Sequence, residues 1–244
     1  MDFSTSIATR AALGADLALS MLTPGSGQDS QPSPVVRQDI VGTGKKLYSL
    51  GKEELVIRDF FQDRQGGFFL DVGCAWPIKE NNTYYLEKHL GWTGIAVDGL
   101  PEYARPWRKR KGAKFFNYMV TDHSGTVESF YRAEKTDISS IRPENDKAKV
   151  KFEEIKVNTI TLTKLLEDNG VSKVDFLSMD IEGAEGLALA GFDIARFKPE
   201  LVCIEAKPLN RSKILEYFKA HDYERIERYL EYDQVNYYFT PKAK

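Results

Sequence analysis

Apolar positions in this chain fall into two alternating patterns. Short runs rich in β-branched and aromatic residues read as buried strands: 68–72 (FFLDV), 94–98 (GIAVD), 114–120 (KFFNYMV), 174–180 (VDFLSMD) and 201–207 (LVCIEAK). Two further strand-like runs, 126–133 (TVESFYRA) and 152–158 (FEEIKVN), flank a polar segment. Helical spacing lies between the strands. The stretch 82–92 (NTYYLEKHLGW) stops at Gly91, 101–110 (PEYARPWRKR) opens on Pro101, and 161–170 (TLTKLLEDNG) gathers Leu162, Leu165 and Leu166 on one side before Gly170. A helix over about 214–220 precedes a closing hairpin made of ERIERYL and VNYYFT. Strands alternating with helices predict βαβ units: a mostly parallel sheet with helices on both faces, of α/β class.

The N-terminal part breaks the pattern. Residues 5–22 are Ala- and Leu-rich with helical character, but Asp2 and Asp16 do not suit a secretory signal. From 23 to 44 the chain turns to Pro, Gly, Ser and Gln, as in PGSGQDSQPSP. The expected plan is an N-terminal helix or flexible arm over 1–45, packing on its own domain or on a second copy in a homo-oligomer, followed by one domain over 46–244.

Lys and Arg number 34 against 36 Asp and Glu, a net charge of −2, which argues against a dedicated nucleic-acid binder. No apolar run approaches membrane-spanning length. Only Cys74 and Cys203 occur, a scarcity that suits a reducing, cytoplasmic compartment.

Ligands of parallel α/β sheets bind beyond the carboxyl ends of the strands, so strand-end residues are the candidates. Asp71-Val72-Gly73 ends the first strand, where glycine permits a tight turn and close backbone approach to a ligand. Asp98 ends the second and suits the hydroxyls of a ribose. The glycines of a G-x-G-x-x-G dinucleotide loop are missing, since Gly73 is followed by Cys74-Ala75-Trp76-Pro77. That disfavours a nicotinamide-dependent oxidoreductase. Tyr84 and Lys88 mimic a Tyr-x-x-x-Lys pair but read as two positions on one helix face. In 179–192 (MDIEGAEGLALAGF), Asp180 closes a strand while Glu182 and Glu185 fall in the first turn of the next helix, where they complement its dipole. Glu205 closes the following strand.

Together FFLDVG, NNTYYLEKHLGWTGIAVD, DHSGTVESF, VNTITLTKLL and VDFLSMDIEGAE resemble the FkbM family of S-adenosylmethionine-dependent methyltransferases over about residues 48–240. The resemblance implies a Rossmann-like class I methyltransferase fold, a seven-stranded sheet with an antiparallel last strand, and methyl transfer to a hydroxyl oxygen. It assigns Gly73 to the methionine part of the cofactor, Asp71 to its ammonium group, Asn82 and Thr83 to its carboxylate, Asp98 to the ribose and Asp122 to the adenine. Two features depart from the family pattern: CAWP replaces the glycine-rich part of the first loop, and Asp98-Gly99-Leu100-Pro101 replaces an acid-Pro ending.

Removing the acceptor's proton calls for a general base or a metal. The candidates are Asp180, Glu182, Glu205 and His123, with Asp180 and Glu205 a candidate pair for a divalent cation such as Mg²⁺. The cluster Arg105, Arg108, Lys109, Arg110, Lys111 and Lys114 reads as a solvated helix face. Trp76, Tyr118 and Tyr131 are candidates for an acceptor pocket, and 134–150, with Ser139 and Ser140, for a segment closing over the cofactor. The expected partner is a small hydroxylated molecule. A non-catalytic scaffold is the remaining alternative.

Overall fold

The computed structural model describes residues 39–133, 139–140 and 151–243. The predicted arm therefore lies mostly outside the described residues. Its last few are described, and there Ile40 and Val41 are buried against Leu55.

FFLDV becomes the central strand because four of its five residues are buried, and alternate side chains serve opposite faces. Along the chain run α1 (Glu53–Phe61), β1 (Phe68–Val72), α2 (Tyr84–Leu90), β2 (Thr93–Asp98), α3 (Ala104–Trp107) and β3 (Ala113–Asn117). Next come β4 (Met119–Val120), β5 (Val127–Ala133), β6 (Ser139–Ser140), β7 (Phe152–Ile160) and α4 (Leu162–Asp168). The chain closes with β8 (Phe176–Met179), α5 (Glu185–Ala190), α6 (Ile194–Phe197), β9 (Leu201–Glu205), α7 (Arg211–Ala220), β10 (Tyr223–Arg225) and β11 (Asn236–Pro241).

The main sheet has seven strands in the order β10-β11-β9-β8-β1-β2-β3. Its central pairs β1–β2, β1–β8, β2–β3 and β8–β9 are parallel, whereas β11 runs antiparallel to β9 and β10. This is the Rossmann-like α/β arrangement expected. On one face Leu70, Val72, Leu177 and Ile204 pack with Leu165 and Leu166 of α4 and Phe218 of α7. On the other, Phe69, Phe176 and Leu201 pack with Val56, Ile57 and Phe61 of α1 and Leu86 and Leu90 of α2. Gly91, with φ +68°, ends α2 in the left-handed conformation that glycine adopts freely.

Two runs resolve differently from the sequence expectation. The segment 114–120 is not one strand: Tyr118 N and Asn117 Nδ2 both donate to the Asp98 carbonyl, at 3.1 and 2.9 Å, and the chain changes sheets there. Beyond this step β4 pairs with β7 in a second, four-stranded sheet of order β4-β7-β5-β6, and that sheet also holds both runs flanking the polar segment. The predicted helix over 101–110 shrinks to a 3₁₀ turn (Pro101–Tyr103) and the single turn of α3. Cys74 and Cys203 are both buried and unpaired. Among the described residues no helix is long and apolar enough to cross a membrane.

Candidate active site

The parallel strands end at one edge, where a cavity of about 310 Å³ opens. Asp71, Gly73, Asn82, Asp98, Asp180 and Glu182 line it, as do Trp76 and Tyr118.

Gly73 follows β1 with φ +74°. A Cβ there would lie 1.8 Å from the Asp180 carbonyl oxygen and 2.9 Å from Cγ2 of Ile181. The glycine is thus required by the loop after β8, which crosses against it, and not only by close approach to a ligand. The Asp180 amide also donates to the Val72 carbonyl at 3.0 Å. The loops after β1 and β8 are in this way joined at a point of backbone contact.

Asp98 closes β2 and accepts the Leu100 amide on Oδ1 (2.9 Å) and the Ala75 amide on Oδ2 (3.0 Å). Burial pushes its carboxyl up to about 6 against the pull of those amides, with Asp71 adding a like charge. The CAWP loop is therefore anchored to the residue expected to hold the ribose.

Asp71 is buried, and its Oδ2 accepts from Thr83 Oγ1 (2.7 Å) and Asn81 Nδ2 (3.1 Å). Burial raises its carboxyl, opposed by the Thr83 bond, the Arg110 charge and the Asn81 bond. Thr83 is 0% exposed and does not line the cavity, a correction to its expected contact with the cofactor carboxylate. Its hydroxyl is turned inward by the need to satisfy Asp71. Asn82 does reach the cavity and donates to Ser178 Oγ at 3.2 Å.

Arg110 is a second correction. Its side chain is buried instead of belonging to a solvated face. The guanidinium pairs with Glu87 and donates to the Pro77 carbonyl (2.9 Å), Asn81 Oδ1 (3.1 Å) and Thr83 Oγ1 (3.2 Å). The rings of Trp107, Tyr84 and Phe69 surround it at 4.7, 5.2 and 5.4 Å. This buried cation organises the polar residues behind Asp71.

The other side of the cavity is acidic. Asp180 is exposed where it meets the cavity, yet desolvation by the protein around it pushes its carboxyl up to about 8, reinforced by the charges of Glu205, Glu182 and Glu185 and opposed by Lys207. Glu182, at φ +54°, ion-pairs with Lys207, whose Nζ also lies 3.0 Å from Glu205 Oε2. Burial alone would lower Lys207, but its bonds to Glu182 and Glu205 outweigh that and hold the ammonium above its usual range. Glu205 is buried beneath the cavity and does not line it. Glu185 does more than complement the dipole: Oε1 accepts the amides of Ile181 and Gly183, both at 3.2 Å, and Oε2 accepts from Asn210.

One oxygen each from Asp180, Glu185 and Glu205 fall within 4.8 Å of one another, so the expected metal pair has a third acidic neighbour. The donors fit a divalent cation poorly. Both oxygens of Glu185 are already engaged, and the Lys207 ammonium sits against Glu205 as the resident positive charge.

Asp122 and His123 correct the sequence reading as well. Both are exposed and neither lines the cavity. His123 is held between carboxylates, Nδ1 at 2.7 Å from Asp122 and Nε2 at 2.6 Å from Glu128, which raise its pKa and leave neither nitrogen free to serve as a base. Tyr131 pairs with Ser140 across β5 and β6 and does not line the cavity. The Ser140 side chain and the rest of the expected closing segment lie outside the described residues.

Among the lining residues that escaped sequence reasoning are Glu53, Tyr103 and Phe130. Glu53 opens a helix beside Glu54, a pattern identical to ordinary dipole complementarity.

Residues 71–237 match the protein family described as the methyltransferase FkbM domain. No curated protein matches significantly. Among solved structures, a TehB-like SAM-dependent methyltransferase from Corynebacterium glutamicum is 14% identical, with 84% of this chain and 94% of that chain covered and a TM-score of 0.44. Precorrin-6y C5,15-methyltransferase from Geobacter metallireducens is 12% identical, with coverage of 82% and 92% and a TM-score of 0.47.

Proposed function

The chain belongs to the FkbM methyltransferase family, and on that premise we propose that this S-adenosylmethionine-dependent methyltransferase methylates a hydroxyl oxygen of a small molecule or sugar, with Asp180 as the base. The observation that carries this reading is the place of Asp180, which lines the cavity with its backbone carbonyl against Gly73, and whose carboxyl desolvation and the neighbouring Glu205, Glu182 and Glu185 charges hold up at about 8. A group that titrates near neutrality both accepts a proton and returns it to solvent between turnovers.

The cavity suits the cofactor in charge and shape. Asp98 keeps a free lone pair on each oxygen after its backbone bonds, enough for two ribose hydroxyls, and Asp71 supplies a negative wall for a cationic amino acid moiety. When bound, the cofactor supplies an electrophilic methyl group on a positively charged sulfur. The chain's own contribution is positioning, because an in-line displacement depends on the alignment of nucleophile and methyl. The contact between Gly73 and the Asp180 carbonyl sets the cofactor loop against the base. Asp180, as a carboxylate, takes the hydroxyl proton and becomes neutral, while Lys207 holds Glu182 and Glu205 in place and tempers their repulsion of the carboxylate before the transfer. No step requires a metal, in keeping with donors that are already engaged.

Calorimetric titration with S-adenosylmethionine, S-adenosylhomocysteine and NAD tests the reading. The two adenosyl ligands bind and NAD does not, and Asp98→Ala weakens the former by tenfold or more. Binding of NAD alone overturns the proposal in favour of an oxidoreductase, and binding of none favours a scaffold.

A further inference from the structure

We propose that Glu53 determines the acceptor, receiving hydrogen bonds from a donor-rich group, a polyol or an amino sugar, on the β9–β11 side of the cavity. The inference rests on the methyl-transfer reading above and deepens it. Glu53 precedes the residues 71–237 that match the family, so nothing in that match assigns it a role.

Glu53 lines the cavity and is only 9% exposed. Its Oε1 accepts from Asn236 Nδ2 at 3.2 Å, its own amide, the Gly51 amide and the Ser49 hydroxyl favour the carboxylate against burial, and Oε2 has no hydrogen-bond partner among the described residues. The side chain is firmly held from behind. Asn236 donates from its backbone and side chain to Asp233 (both 3.0 Å), and Tyr238 donates to the same carboxylate at 2.7 Å. In front, Glu54 accepts the amides of Leu47 (3.0 Å) and Tyr48 (2.8 Å), fixing the loop that leads into α1. Gly51 in that loop leaves the space: a Cβ there would meet Glu53 Oε1 at 2.8 Å.

A buried acceptor left without a donor costs about 1–3 kcal/mol. No Lys or Arg among the described residues pairs with Glu53, and the nearby Asp233 carboxylate adds repulsion. Lys207, the cation on this side, is committed to Glu182 and Glu205. Donors also line the cavity, but Asn82 is engaged with Ser178 and Lys79 with Glu80, so Glu53 and Asp180 add acceptors to its wall that a ligand's donors can meet. Rotation about the terminal carboxylate torsion is soft, so Oε2 can turn from the wall toward the cavity. The same cavity includes Leu50 and Trp76, 69% and 41% exposed, which give an apolar surface for the nonpolar face of a sugar ring. Apolar surface and acceptors lining one cavity match an amphipathic, donor-bearing ring better than a simple alcohol.

The test uses the full chain saturated with S-adenosylhomocysteine and titrated with methyl α-glucoside, glucosamine and cyclohexanol, in wild type, Glu53→Met and Glu53→Gln. Wild type binds at least one of the two sugars, and cyclohexanol at least tenfold more weakly; the glucoside and glucosamine arms separate a neutral from a cationic donor. Glu53→Met weakens the bound sugar tenfold or more, raises the urea midpoint, and leaves S-adenosylhomocysteine affinity within twofold. Glu53→Gln, which keeps the shape and one acceptor oxygen, restores part of the binding. Sugar binding unchanged in Glu53→Met, or no sugar binding by a protein that binds S-adenosylhomocysteine, overturns the assignment of Glu53 and leaves the methyl-transfer reading standing. Loss of sugar binding together with a lower urea midpoint marks a structural carboxylate and overturns it too. A wild type that fails to bind S-adenosylhomocysteine overturns both readings.

Discussion

Gly73→Ala is the sharpest perturbation available. The new Cβ would begin 1.8 Å from the Asp180 carbonyl oxygen, while real Cβ atoms essentially never come within 3.0 Å of a neighbour, so one loop must retreat by about 1.2 Å. The atom it meets is backbone, and its strand is fixed on both sides, because β8 pairs with β1 and β9. Rotating a side chain cannot relieve the clash. An alanine held at φ +74° adds about 1–2 kcal/mol, and overpacking a rigid contact adds roughly 1–3 kcal/mol. The sum, about 2–5 kcal/mol, is a large part of the ~5–15 kcal/mol that stabilises an ordinary domain. Shifting the base by about 1 Å relative to the methyl group costs on the order of 10²-fold in rate. Gly99→Ala is the control, since its Cβ would meet only the tip of the Phe130 ring at 2.9 Å, which can tilt away. Urea denaturation of both variants, with turnover followed by S-adenosylhomocysteine release, separates the outcomes. A Gly73→Ala protein less than about 1 kcal/mol below wild type, or no more affected than Gly99→Ala, would refute the account of this contact.

Two further tests address charge. Asp180 binds its proton more tightly in the folded chain, at about 8 against an ordinary 3.8, so its contribution to stability is full below pH 4 and is lost as the pH rises toward 8. Asp180→Asn should therefore raise the melting temperature most at pH 8–9 while abolishing the rise in kcat that wild type shows around pH 8; an unchanged pH profile would place the base elsewhere. Arg110→Met should cost about 3–5 kcal/mol in urea denaturation, because Glu87 and Asp71 lose the cation between them; a loss below about 1 kcal/mol would show that the buried network carries little of the stability.

The strands β1, β2, β8 and β9 were legible because they are buried on both faces and so appear as unbroken apolar runs. Their final residues were legible for the same reason, and Asp71, Asp98 and Asp180 do reach one cavity. What stayed hidden depends on partners distant in sequence. Arg110 looks like its neighbours Lys109 and Lys111 until Glu87, Asn81 and Thr83 fold around it. Thr83 and Asn82 are adjacent, yet one faces Asp71 and the other the cavity, a choice made by Asp71's demand for donors. His123 resembled a base because the sequence does not reveal that Glu128 returns across the turn to occupy its second nitrogen. The step at Tyr118 was invisible too, since both halves of KFFNYMV are equally suited to strands.

That step divides the cavity between two supports. The residues proposed for the cofactor hang from the seven-stranded sheet, while Phe130 reaches the cavity from β5, in a sheet that the chain enters through β4. The β5–β7 pair shares no ladder with β1, β2 and β8, and meets them through the packing of Phe130 and Ile155 on the cluster that holds Ala96 and Leu100. Over evolutionary time, such a layout lets descendants inherit one reaction while trying different substrates. For an engineer it marks the hairpin as the place to randomise first.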